Sequence, residues 1–121
     1  MRLKMIGCAC LVLVACLMSG IAMAETQFGV AVYPEATQHA GTTKFLKEGL
    51  GVDGVAYQTK DPASAVIEFY KSQDGIREIF VSDESAMFRK GDEVDVTVQS
   101  PWMDMDTGKL MQDCLISIVK R

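Results

Sequence analysis

The sequence predicts an α+β domain: a mainly antiparallel sheet of four to five strands with one or two helices packed on one face. Three stretches carry that expectation. "ASAVIEFYKSQ" sets Ala63, Val66, Ile67, Phe69 and Tyr70 at helical spacing. "EVDVTVQS" alternates, with Val94, Val96 and Val98 on one side and Asp95, Thr97 and Gln99 on the other, as in a strand with one wet face. "LMQDCLISIVKR" contains the unbroken run Cys114-Leu115-Ile116, the pattern of a strand covered on both faces.

The elements follow in chain order. An apolar run from Phe28 to Tyr33 stops at Pro34 and reads as an edge strand or an extended lead-in, because proline brings no ladder donor. Thr43 is placed to cap a short helix, "KFLKEGL", with Phe45, Leu46 and Leu50 on its apolar face and Gly49 and Gly51 as terminators. "VDGVAYQT" reads as a strand around Val55, Tyr57 and Thr59. Asp61 stands at an N-cap position with Pro62 at the first helical residue, and Asp74-Gly75 ends that helix. From Ile76 the period is that of strands: "IREIFV", a polar break from Ser82 to Ser85, "AMFRKGD", and then the two strands already described.

The N-terminus carries an address. Arg2 and Lys4 precede an apolar run from Met5 to Met18, Ser19 and Gly20 break it, and Ala22-Met23-Ala24 supplies a small-x-small cleavage pattern. The run is shorter than the roughly 20 residues that span a bilayer. The expected organisation is a cleaved signal peptide over 1–24, cut between Ala24 and Glu25, and a single α+β domain over 25–121, with no membrane span after cleavage. A second reading takes Leu13-Val14-Ala15-Cys16 as a lipobox with a lipid anchor on Cys16, although the residues after it are apolar rather than a polar tether. Both readings carry the expectation of export, to the periplasm or beyond, and the pattern looks bacterial.

Cleavage changes the charge and the cysteine count. Loss of Arg2 and Lys4 leaves ten basic against 16 acidic side chains, a formal charge of −6. That balance argues against nucleic acid and anionic lipid as partners. Cys8, Cys10 and Cys16 fall in the leader, so Cys114 remains alone and no intramolecular disulfide forms.

Two elements bear a resemblance. Tyr33-Pro34-Glu35-Ala36, followed by Thr59, Asp61, Val66, Phe69 and Tyr70, resembles a loosely defined group of small exported bacterial proteins sharing Tyr-Pro-x-Ala and a Thr-x-Asp-x(4)-Val-x-x-Phe-Tyr helix. The group often has glycine where this chain has Glu35. The resemblance implies export and a capped amphipathic helix, and it brings no functional residues with it.

Chemistry concentrates in "SPWMDMDTGKL", residues 100 to 110. Its expected role is a hairpin turn, with Gly108 at positive φ and Asp104 and Asp106 in water. A calcium loop starting at Asp104 fails, since Gly108, Lys109 and Leu115 fall where an oxygen ligand, glycine and glutamate are required. Met103, Met105, Met111 and Cys114 are soft ligands suited to Cu(I), and Trp102 could cap such an ion. Trp102 also reads as an interaction anchor on a hairpin tip or, alternatively, as a lid on the core.

Enzymatic signals are thin. His39, the sole histidine, reads as a solvated loop residue, and there is no Gly-rich phosphate loop, Cys-x-x-Cys pair or nucleophile motif. The expectation is a small, non-enzymatic accessory protein that binds a protein or small-molecule partner in the cell envelope without a cofactor. The alternatives are a periplasmic Cu(I) carrier and, further off, a hydrolase.

Overall fold

A computed structural model describes residues 25–121. The cleavage pattern at Ala22 and Ala24, and Cys16 with its lipobox, lie outside the described residues.

The centre of the molecule is one antiparallel sheet of six strands, in the order β3-β4-β10-β7-β6-β5. These are β3 (Thr37–Gln38), β4 (Asp53–Thr59), β5 (Ile76–Val81), β6 (Ser85–Lys90), β7 (Val94–Gln99) and β10 (Cys114–Lys120). Short hairpins flank it: β1 (Thr26–Gln27) with β2 (Val30–Ala31), and β8 (Trp102–Met103) with β9 (Leu110–Met111). The helices are α1 (Ala40–Lys44), which runs on into a π-helical turn (Phe45–Gly49), and α2 (Ala63–Lys71).

The α+β class stands, but the sheet has six strands rather than four to five. The additional one is β3, whose two exposed polar residues have no apolar period to announce them. It is held by register alone, Thr37 opposite Gln58 and Gln38 opposite Tyr57, with the His39 N–H donating to the Ala56 carbonyl at 2.8 Å.

The helices lie on opposite faces, which corrects the expectation of one face. Tyr57, Ile116, Ile118, Val96 and Val98 pack on the inner side with Val66, Ile67 and Tyr70 of α2 and with Val30. Ala56 and Leu115, the neighbours of Tyr57 and Ile116, point the other way and bury against Leu46 and Trp102. Successive strand residues alternate sides, so a strand buried at every position needs cover on both. β10 is that strand, paired on either flank and buried from Cys114 to Ile118.

Both helix starts differ from expectation. The N-cap of α2 is Pro62, extended at ψ 155°, and its carbonyl accepts from Ala65 N–H at 3.0 Å. Asp61 makes no cap because its carboxylate accepts the Tyr33 hydroxyl at 2.6 Å. α1 begins before Thr43, capped by His39, whose Nδ1 accepts the Thr42 N–H at 3.1 Å. The Thr43 hydroxyl instead accepts the Ala56 N–H at 2.9 Å and fastens α1 to β4.

The run from Phe28 to Tyr33 contains a tight hairpin, with Phe28 (φ 55°) and Gly29 (φ 81°) between β1 and β2. At the far edge of the sheet, Ile79 and Phe80 of β5 are exposed. A bulge between Glu78 and Phe80, together with the charges of Arg77 and Glu78, blunts that edge against further pairing.

Candidate functional site

The stretch from 100 to 110 is a hairpin connection. Trp102 lies opposite Met111 and Met103 opposite Leu110. The Gly108 N–H donates to the Asp104 carbonyl at 2.8 Å, with Gly108 at φ 73°. An Asx turn completes the loop, the Asp106 N–H donating to Asp104 Oδ1 at 2.9 Å.

Two expectations about its side chains fail. Trp102 is 3% exposed, so of its two readings the lid on the core holds and the surface anchor does not. It covers Leu46, Ala56 and Leu115, and its Nε1–H donates to Asp113 Oδ1 at 2.7 Å. Asp106 faces solvent, but Asp104 is buried and turns toward His39, Oδ2 lying 3.5 Å from Nε2. The Asp106 N–H, and then the nearby imidazole, hold the Asp104 carboxyl below the usual carboxylate range. A Cβ at Gly41 would meet the Asp106 carboxylate, the end of an exposed side chain that can swing aside.

His39 is therefore not a loop residue in water. Its ring meets Trp102 edge-on at 5.0 Å between centroids. Because Nδ1 accepts from Thr42, the ring proton sits on Nε2 and faces Asp104. The Thr42 hydroxyl is 2.8 Å from the same Nδ1, so threonine, imidazole and carboxylate form a line that imitates a nucleophile, base and orienter. Its geometry is that of a helix cap. The backbone N–H already occupies Nδ1, and Thr42 is buried at 8% exposure.

The soft-ligand set does not converge. Cys114 is buried in the inner core, whereas Met111 packs in the outer cluster beside Trp102. Met103 and Met105 project into solvent. Burial first, and the Asp113 charge second, push the Cys114 thiol up to about 11. Among the described residues, no three His, Cys, Asp or Glu side chains gather closely enough to hold a metal ion.

A second arrangement lies on the other side of Asp113. A cavity of about 310 Å³ is lined by Glu35, Thr37, Gln58, Thr59, Lys60, Asp61 and Asp113. β3, the end of β4, the turn into α2 and the approach to β10 each contribute. Two of its three carboxylates are oriented by a neighbour, Asp61 by the Tyr33 hydroxyl and Asp113 by the Trp102 indole. The bond to Asp61 raises the Tyr33 phenol to about 12. Gln58, on the cavity wall, has its Oε1 buried with no hydrogen-bond partner among the described residues. Glu35 sits at φ 66°, a backbone region that favours glycine.

Sequence reading did not single out Glu35, Gln58 or Asp113 as a site. One signal was present: the two resembling elements meet here. Tyr33 bonds Asp61 and packs edge-on against Phe69 at 5.3 Å, and Phe69 in turn meets Tyr70 at 4.9 Å. Glu35, Thr59 and Asp61 line the cavity beside them.

Comparison with protein-family models, with curated proteins and with solved structures gave no match.

Proposed function

We propose that this chain is an exported, non-enzymatic accessory protein whose polar cavity binds a positively charged organic group, an ammonium or guanidinium, from a small molecule or a partner's side chain. The observation that carries the reading is the acidic lining of the cavity, Glu35, Asp61 and Asp113, beside Gln58, whose buried Oε1 has no donor among the described residues. A buried acceptor without a donor costs free energy of desolvation, on the order of 1–3 kcal/mol, which a ligand's donor would recover once the Gln58 amide turned toward the cavity. The carboxylates line the walls rather than converging on a point, which suits a many-donor cation better than a metal ion. Lys60 also lines the cavity, but it is exposed and its long side chain can turn its ammonium into solvent. Export rests on the basic, apolar and small-residue pattern of residues 1–24.

The test is an amide-shift titration of the purified protein with Nα-acetyl-arginine amide and Nα-acetyl-lysine amide, against neutral Nα-acetyl-norleucine amide. Saturating shifts at Gln58, Asp61 and Asp113 with the cationic probes alone are expected, and they should weaken in Glu35→Gln. Equal response to the neutral probe, or no response to any of the three, refutes the reading.

A further inference from the structure

The described residues hold five sulfur atoms, those of Met87, Met103, Met105, Met111 and Cys114, and the fold sorts them sharply. Cys114, chemically the most reactive type, is fully buried in the inner core. Met111 packs in the outer cluster, and Met87 is half-buried on β6. Met103 and Met105 are 49% and 55% exposed, one on each side of buried Asp104, and neither belongs to a core cluster. Burial alternates from Trp102 to Met105 as β8 gives way to the turn, with Asp104 in toward His39 and both methionines out.

We propose that Met103 and Met105 form an oxidation site, the place where this protein takes up oxygen from a peroxide while its fold stays intact. Each thioether sulfur attacks one oxygen of the peroxide. A sulfur–oxygen bond forms, the oxygen–oxygen bond breaks, and the departing hydroxide takes the remaining proton and leaves as water. Sulfur is oxidised by two electrons and the peroxide is reduced by two, so each copy consumes two peroxide molecules and carries two sulfoxides. A cysteine is ordinarily the first target, because its thiolate is the stronger nucleophile. Here the thiol lies inside the sheet and is held in its protonated form. Exposure therefore overrides intrinsic reactivity. Conversion also changes the surface, since Met103 lies opposite exposed Leu110, and sulfoxides make the apolar part of that hairpin polar.

The experiment treats the purified protein with increasing hydrogen peroxide and locates added oxygen by peptide mass mapping, following Trp102 by near-UV circular dichroism in parallel. The expected result is one added oxygen on Met103 and one on Met105 before any appears on Met87, Met111 or Cys114, with the Trp102 signal unchanged. A Met103→Leu, Met105→Leu double variant, whose folding the same signal checks, should take up no oxygen at those doses. Oxygen appearing first on Met87, Met111 or Cys114 overturns the proposal. So does loss of the Trp102 signal in step with uptake at Met103 and Met105, because oxidation would then accompany unfolding.

Discussion

The Tyr33 hydroxyl donates to Asp61 Oδ2 across 2.6 Å, and this bond joins the segment leading into β3 to the turn that starts α2. It takes the place of the helix cap that Asp61 would otherwise make, and it positions one wall of the polar cavity. Removing it in Tyr33→Phe should cost about 0.5–1 kcal/mol in urea unfolding, the low end for a bond to a charged group because the pair is open to solvent.

The same bond carries a pH signature. The Tyr33 phenol is raised to about 12, chiefly by its hydrogen bond to Asp61, and Tyr70 is raised further by burial. A group that keeps its proton longer in the folded state contributes stability below its unfolded pKa and loses it as pH climbs through the folded one. Stability should therefore fall from about pH 10 toward pH 12, and less steeply in Tyr33→Phe. Unfolding curves collected across that range check it.

Glu35 at φ 66° predicts an opposition between stability and binding. Glu35→Gly should stabilise the fold by about 0.5–1 kcal/mol, since a non-glycine residue is strained there. The same change should weaken the response to the arginine probe, because a carboxylate leaves the cavity wall. Thermal unfolding and the titration, run on one preparation, measure both.

Trp102→Phe should keep most of the apolar cover over Leu46, Ala56 and Leu115 while leaving Asp113 Oδ1 without its donor. A loss of about 1.5–3 kcal/mol is expected for a bond to a charged acceptor. A weaker probe response is expected alongside it, since Asp113 would no longer be oriented.

Asp104 sets the acid limb. Its carboxyl is held low by the Asp106 N–H and by His39, so its contribution is complete above the ordinary carboxylate range and disappears as pH falls through its lowered value. Asp104→Asn should flatten the loss of stability at acid pH, read by unfolding between pH 5 and pH 2, a window of about the usual carboxylate range and below.

What could be read from the chain was what periodicity encodes. Val94, Val96 and Val98 are all buried, as their alternation requires, and Val66, Ile67 and Tyr70 face the sheet from α2. β3 was invisible because Thr37 and Gln38 are placed by the register of β4 and not by any apolar pattern. His39 was misread for a related reason. A histidine cap depends on a tryptophan and an aspartate more than sixty positions away, and local sequence holds no trace of them. The cavity shares that difficulty, since Gln58 and Asp113 are brought together only when β10 joins β4.

The place of β10 has a consequence for the growing chain. It is the latest strand in sequence, yet it sits between β4 and β7 and pairs with both. Until residues 114–120 have left the ribosome, β3–β4 and β5–β6–β7 are two fragments with no strand to bridge them. Neither fragment can close the inner core, because Cys114, Ile116 and Ile118 supply its middle. The order of synthesis therefore runs against the order of assembly, and the sheet of a nascent chain stays open until residues 114–120 emerge.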